Sequence, residues 1–597
     1  MTSEIVLTSS LASAERLPGE AAPRPRVWPA LVLIGLYWTA YGTVRWMELA
    51  TFVRFLFCMA SCAVLALAFL VWWFLNRRIR LRERLAVFAA AVLGGVVAAP
   101  LCQETLGLWM LIFVVPPYVL TSWTIGLFLT RSLSSGTRLV GLTIAVLLPW
   151  GAWGLIRFDG ISGEQVAEYH WRWTPTAEQR YQAELAQRRH ETAALPEGTS
   201  SDSLRSIQAG DWPGFRGPQR DGVVRGMTLA ADWKASPPKQ LWRQRVGPGW
   251  SSMAVVGDRL YTQEQRGSQE AVVCLDAATG RELWAHQDEA RFQEKVAGAG
   301  PRATPTFADG RIYSLGATGI LNCLDGISGE RRWQRDISAD SGVQPPMWGF
   351  VSSPLIVEGL VVVYAGGDKG LLAYRADSGE PAWTAAAGQS SYSSPQLATL
   401  DGQQQILMWS DHGLLAVDPA SGQALWQHDV PAPQAPRSLQ PHLAGEGQVL
   451  ISSEMDLGTA FLDVKHDGDA WTVSRRWTSK RLQPSFNDYV FHDGAIYGFD
   501  GALFCCVDLQ TGAQRWKDGR YGHGQVVLLA DSSLLLVAAE KGAVVLLEAN
   551  PQRHKELGRF QALEGKTWNH PVVAHGRLYV RNGEEIACYE LETKKRR

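Results

Sequence analysis

Eight positions spaced about 40–50 residues apart carry a chemically uneven set of side chains: Trp250, Arg302, Val351, Tyr392, Ser438, Phe486, His523 and Trp568. A purely structural repeat could fill them all with similar apolar groups, yet aromatic, cationic and imidazole side chains occur among them. The positions that follow add Asn487, Asp488 and Asn569. Rings offer flat surfaces for stacking, and a few fixed polar groups set orientation. That combination suits a flat or sugar-like small-molecule ligand. Trp250, Arg302, Tyr392, Asn487, Asp488, His523, Trp568 and Asn569 are therefore the candidate ligand-binding residues. No catalytic residue can be assigned. His412, His428 and His466 lack metal-ligand spacing, no zinc, phosphate-loop or triad signature occurs, and no metal is expected. No Cys-x-x-Cys-His is present, so a covalently attached c-type haem is not expected.

These positions must be held by repeated elements, and the repeat is legible. An Asp, then Ser or Thr with Gly, then Trp recurs in Leu275–Trp284, Leu324–Trp333, Tyr374–Trp383, Val417–Trp426 and Val507–Trp516, with Arg375 at the Asp position of the third copy. β-branched and aromatic runs precede each copy. The pattern predicts a tight hairpin between the third and fourth strands of a blade. The Asp carboxylate caps the turn, Gly supplies positive φ, and Trp buries a large flat surface on the neighbouring blade. Weaker copies are expected at Val449–Trp477, with an expanded turn at Lys465–Ala470, and at Gln525–Phe560. The last unit, Pro571–Tyr589, lacks a fourth strand, whereas Gln240–Val246 is a fourth strand with no blade before it. Joining the two closes an all-β, eight-bladed β-propeller and removes the exposed strand edges. The first strand of each blade lines the channel, which places the candidate residues on the funnel rim. Cys274, Cys323, Cys506 and Cys588 share one repeat position, as expected of a small buried site. Cys505-Cys506 is accordingly read as packing.

The first part of the chain has a different composition. Residues 1–158 contain no Lys, Asp or His. Apolar runs at Trp28–Trp46, Phe52–Leu75, Leu85–Cys102, Leu106–Thr130 and Leu139–Phe158 predict an α-helical bundle of five transmembrane helices in the lipid bilayer. Arg16, Arg24 and Arg26, then Arg77, Arg78, Arg80, Arg82 and Arg84, then Arg131 and Arg138 fall on alternate connections. The positive-inside rule makes those cytoplasmic, with a cytoplasmic N-terminus. An odd number of crossings then puts the remainder in the periplasm of a bacterial inner-membrane protein. The expected division is residues 1–158 as bundle, 159–210 as a periplasmic linker with a short helix at Thr176–Thr192 and a flexible stretch at Glu197–Ser206, and 211–597 as propeller. The net charge of −1 argues against a nucleic-acid partner.

The Asp-x-x-[Ser/Thr]-Gly-x-x-x-Trp repeat resembles the tryptophan-docking motif of pyrroloquinoline quinone (PQQ) propellers. Asp211–Pro218 likewise resembles the entry segment of PQQ-like repeat proteins. That family includes quinoprotein dehydrogenases and non-enzymatic relatives such as the propeller lipoprotein of β-barrel assembly. A bundle followed by a propeller is also similar in layout to membrane-bound quinoprotein glucose dehydrogenase. The resemblance implies either a binding or scaffolding module with a periplasmic protein partner or ligand, or a PQQ-dependent dehydrogenase of sugars or alcohols feeding membrane quinone. The second would need PQQ with Ca²⁺. Arg302, Asp488, Asn487, Glu264 and Glu454 would then be available for its polar contacts, and Trp250 or Trp568 for stacking.

Overall fold

The structure is a computed structural model that describes residues 24–47, 51–102, 111–163, 167–191, 206–230, 232–430, 436–454, 457–468 and 470–593. The chain divides into two compact units, Met1–Phe158 and Asp159–Arg597.

The first unit holds helices α1 (Trp28–Trp46), α2 (Thr51–Leu75), α3 (Leu81–Leu101), α4 (Val115–Thr130) and α5 (Ser135–Gly154). Proline opens α1 and α4, where its missing N–H has no intrahelical partner to lose. Trp73 and Trp123 pack edge to face, with ring centroids 4.6 Å apart. A buried ion pair, Arg138 to Glu83 at 2.7 Å, joins the first turns of α3 and α5. It brings together the two arginine-bearing connections that topology assigns to one side. Every apolar run overlaps a helix, but the five-span expectation is reduced. Among the described residues only Val53–Leu75, Leu81–Leu101 and Leu111–Thr130 are long and apolar enough to cross a membrane. Tyr37, Trp38, Tyr41 and Arg45 dilute α1, and Gly, Thr and Arg138 dilute α5.

The second unit is an eight-bladed β-propeller. Its first blade is the meander Ala254–Val256, Arg259–Arg266, Gln269–Asp276 and Glu282–Glu289. Six four-stranded meanders follow; in the fifth blade the turn expected to be expanded at Lys465–Ala470 is instead paired strand, with Lys465 opposite Thr472 and Asp467 opposite Ala470, so that Gly458–Asp467 and Ala470–Ser479 form a lengthened hairpin. In the eighth, Glu585–Glu590 pairs with Lys239–Arg245, with Cys588 opposite Trp242. An N-terminal strand thus completes the last blade and closes the ring, as the orphan strand predicts.

The turns have the expected chemistry. Asp276 Oδ1 accepts from the backbone N–H of Ala278 (3.1 Å) and Thr279 (2.7 Å), and Asp508 repeats this with Gln510 (3.0 Å) and Thr511 (2.8 Å). The turn glycine packs on the tryptophan of the preceding blade. Gly329 has φ +73°, and a Cβ there would lie 2.5 Å from Trp284. The indole N–H of Trp333 donates to Ala376 O of the next blade (3.0 Å), and that of Trp383 to Pro419 O (2.9 Å). Each of the four periodic cysteines faces a tyrosine on one side and the docking tryptophan on the other, as in Tyr261–Cys274–Trp284. Burial pushes the Cys274, Cys506 and Cys588 thiols up to about 12. Cys505 and Cys506 are both free and buried.

Before the propeller, β1 (Ile156–Ile161) and β2 (Ala167–Trp171) form a two-stranded sheet, and α6 spans Ala177–Glu191. Residues 197–205 of the expected flexible stretch lie outside the described residues.

Candidate functional site

Each innermost strand is entered by an extended segment that descends the channel wall in steps. The first step carries the eight aligned positions. The third carries Ser252, Thr304, Ser353, Ser394, Gln440, Asp488, Gln525 and His570, all polar. Many of these side chains tie a blade to its neighbour. Ser252 N–H donates to Thr304 Oγ1 (3.2 Å), Thr304 N–H to Ser353 Oγ (3.0 Å), and Ser353 N–H to Ser394 Oγ (3.0 Å). Asp488 N–H donates to Gln525 Oε1 (3.2 Å) and Ser252 Oγ to His570 O (2.7 Å). A partial ring of hydrogen bonds thus links consecutive blades along the wall.

Below that ring, the segment 211–224 crosses the channel. Trp212 exchanges two backbone hydrogen bonds of 2.7 Å with Val255, and Phe307 N–H donates to Pro213 O (2.7 Å). Arg220 donates to Pro354 O (3.1 Å), Arg216 to Tyr489 O (2.8 Å), and Val223–Val224 adds a parallel strand to the seventh blade. Arg216 and Arg220 both adopt positive φ, 59° and 54°. Two strained arginines in one short segment are sustained only by such surrounding contacts. Arg216 Nη1 lies 2.5 Å from Asp488 Oδ1, and His570 Nε2 lies 3.0 Å from Asp488 Oδ2. His442 Nε2 lies 2.9 Å from Arg216 Nη1 and 2.8 Å from Asp488 Oδ1. Burial alone would raise the Asp488 carboxyl, but Arg216, His570 and His442 outweigh it and hold it at about 2. Burial, reinforced by Arg216, pushes His442 down to about 3. Asp488 was expected on the rim. It lies two steps deeper, where it neutralises the arginine of the crossing segment.

At the mouth, the structure brings Trp250, His523 and Trp568 together with Phe486. The Trp250 and Trp568 rings lie 4.8 Å apart, Phe486 is 5.0 Å from Trp568, and Phe486 stacks on His523 at 5.7 Å. Lys566 Nζ sits 4.8 Å from the Trp568 centroid and 5.7 Å from that of Trp250. Such cation–π contact offsets part of the cost of burying an ammonium group, which pushes the Lys566 pKa down. Glu540 accepts from the Trp568 indole (2.9 Å) and from His523 N–H (3.1 Å). Asn569 Nδ2 donates to Ser251 O (2.7 Å), and Asn487 Oδ1 accepts from Ser485 N–H (3.0 Å). Their other amide atoms, Asn569 Oδ1 and Asn487 Nδ2, are buried without a hydrogen-bond partner, as is His523 Nδ1.

Arg302 and Tyr392 serve elsewhere on the rim. Arg302 pairs with Glu294 (3.2 Å), donates to Gly298 O (3.0 Å) and lies 4.6 Å from the Phe292 centroid, so it orders the rim loop Phe292–Gly300. Tyr392 packs against Trp348 at 4.8 Å.

The mouth also holds the chain that leads into it. Ile161 N–H donates to Val296 O (3.3 Å), Lys566 donates to Ile161 O (3.1 Å), and Gly163 N–H donates to Glu540 Oε1. Nearby, α6 docks through Tyr181, whose hydroxyl donates to Glu264 Oε1 (2.6 Å). Burial raises Glu264, but Arg266 at 2.6 Å and Tyr181 reverse the shift, and the carboxyl lies below its usual value.

These contacts do not fit PQQ with Ca²⁺. A planar group sandwiched between Trp250 and Trp568 needs the rings roughly twice a stacking distance apart, and they touch. The carboxylates of Asp488, Glu540 and Glu264 already accept from the protein's own donors. Among the described residues no group of three or more His, Cys, Asp or Glu could hold a metal ion. Sequence reading missed Glu540, Lys566, the rim loop and Gly163. The nearest signal was Lys566 two residues before the aligned Trp568.

The sequence model of the family described as outer membrane protein assembly factor BamB matches residues 222–345 and 268–518. BamB of Burkholderia pseudomallei (strain K96243) is 24% identical over 325 residues, 49% of this chain and 74% of that protein. Quinohemoprotein alcohol dehydrogenase ADH-IIG of Pseudomonas putida is 29% identical over 204 residues, which cover 30% of this chain and only 26% of the dehydrogenase. The crystal structure of BamB from Moraxella catarrhalis overlaps 60% of this chain and 99% of its own, at 16% identity and a TM-score of 0.45. The propeller is thus a PQQ-like module similar in sequence to BamB and, over a shorter stretch, to a quinohemoprotein dehydrogenase.

Proposed function

We propose that this protein is a membrane-anchored binding or scaffolding propeller of the bacterial envelope, with its N-terminus in the cytoplasm and its propeller in the periplasm. The apolar helices anchor it in the inner membrane, and the arginines of the connections set its orientation. The observation that carries the binding reading is the filled channel mouth: Trp250 and Trp568 pack on each other, and Glu540 and Lys566 are engaged by the chain itself. A propeller filled in this way recognises partners on its surfaces and rim. The similarity to BamB favours a protein partner, with outer-membrane protein assembly as the process served. The similarity to a quinohemoprotein dehydrogenase supports the rival reading, oxidation of sugars or alcohols with PQQ.

One set of experiments separates these readings. A photo-crosslinking residue at Met347, which is 65% exposed, should capture an envelope assembly protein in intact cells. Protease added to spheroplasts should digest the propeller. PQQ with Ca²⁺ should give neither cofactor absorbance nor dye reduction with alcohols or sugars. Appearance of both signals would establish the dehydrogenase instead.

A further inference from the structure

The backbone around residues 160–163 is held at the mouth much as a bound peptide would be. Ile161 gives its N–H to Val296 O (3.3 Å) and its carbonyl to Lys566 Nζ (3.1 Å), and Gly163 gives its N–H to Glu540. The main chain at the end of the strand Ile156–Ile161 and in the turn after it is thus held through its own donors and acceptor, a mode of contact that recognises a peptide without reading its side chains. Side-chain size is restricted at two points. A Cβ at Gly163 would run into the His523 ring, and one at Gly160 (φ +121°) would lie 2.7 Å from Val296 O. On the channel wall, Asn569 Oδ1 and Asn487 Nδ2 are buried with no hydrogen-bond partner in the chain. Buried polar atoms left unpaired are costly, and they mark the wall as able to accept further polar contacts. Asn569 and Asn487 are 2% and 1% exposed, so these atoms face the interior.

We propose that the propeller mouth is a peptide main-chain site for a segment of a partner protein with glycine over His523, and that residues 160–163 occupy it in cis. This inference rests on the protein-binding reading and names its ligand class. The cis segment competes with the partner at the high effective concentration of a short tether, on the order of millimolar. Access for a partner therefore requires that the segment leave the mouth, and the same chain continues back to Phe158 and the helical unit.

The test uses the full chain in detergent and a fluorescent peptide with the sequence of residues 157–166, read by anisotropy. Gly163→Leu displaces the cis segment, and the labelled peptide should then bind at least tenfold more tightly than to the unaltered protein. Ile161→Pro removes the N–H that reaches Val296 O and serves as an independent release should Gly163→Leu fail to fold. Adding Lys566→Met or Glu540→Leu to a released chain should abolish binding, and a peptide carrying Leu at the Gly163 position should not bind. Equal binding to released and unaltered chains, no binding to either released chain, or indifference to Lys566→Met and Glu540→Leu would each overturn the proposal. Crosslinking from Met347 that persists in the Lys566→Met chain would leave the scaffold reading standing while the peptide site falls.

Discussion

At the scale of residues, the densest chemistry lies below the rim. Arg216, Asp488, His442 and His570 form a buried cluster that fastens the crossing segment to the fifth, sixth and eighth blades. Removing one partner of a buried ion pair leaves the other charge uncompensated. Asp488→Asn should therefore lower stability by about 3–5 kcal/mol, read from the urea unfolding midpoint. The pH dependence has a definite sign. His442 is held down at about 3 in the fold, whereas an unfolded histidine titrates near 6.5. Between those values the unfolded chain binds the extra proton, so stability falls as the pH drops from about 6.5 toward about 3. Asp488, at about 2 in the fold, adds a second loss between about 3.9 and about 2. His442→Gln keeps an acceptor for Arg216 but does not titrate. Its urea midpoint should change less between pH 7 and pH 5 than that of the unaltered protein, and an identical change would show that this histidine does not set the acid response.

At the scale of elements, the repeat works through one docking event. In five blades the tryptophan of the fourth strand meets the turn glycine of the next blade, as Trp284 meets Gly329. Gly329→Ala pays for a Cβ at positive φ, roughly 1–2 kcal/mol, and also collides with the indole. Gly359 offers the control: its φ is +74°, and a Cβ there would meet nothing within 4 Å. Both substitutions should lower the unfolding midpoint, Gly329→Ala clearly more, and equal losses would mean that the docking contributes little. This part of the fold was legible in the sequence because its causes are local. Asp276 caps a turn two and three residues away, and Cys274 sits between cross-strand neighbours, Tyr and Trp, that recur in three other blades. The mouth was only half legible. Trp250, His523 and Trp568 could be aligned because the blade period places them, whereas Glu540 lies in a turn between strands and Gly163 arrives from outside the repeat. Asp488 was set on the wrong step because a strand segment two residues long spans the distance from rim to ring. The helices were legible as apolar runs. Their capacity to span was overread for α1 and α5, where aromatic, glycine and arginine residues dilute the apolar stretch.

At the scale of the whole molecule, the ring depends on a strand from the far end of the sequence. Lys239–Arg245 pairs with Glu585–Glu590, and Trp242 donates its indole N–H to Ala277 O (3.2 Å) while packing on Gly280. Trp383 makes the equivalent contacts, with Pro419 O and Gly422, inside a blade whose strands are consecutive in sequence. Truncating either tryptophan to alanine removes a comparable half-buried surface and should cost at most about 3–5 kcal/mol. The consequences differ in kind. Loss of Trp383 leaves its strand tethered by short turns on the same sheet. Loss of Trp242 loosens the strand that closes the ring, and its release bares the edge of Glu585–Glu590, which can then pair with another chain. Trp242→Ala should therefore show faster hydrogen exchange across residues 585–590 and concentration-dependent light scattering at urea concentrations below the unfolding transition. Trp383→Ala should unfold at a lower midpoint without associating. Matching behaviour in the two variants would mean that docking tryptophans, and not the shared eighth blade, hold the ring shut.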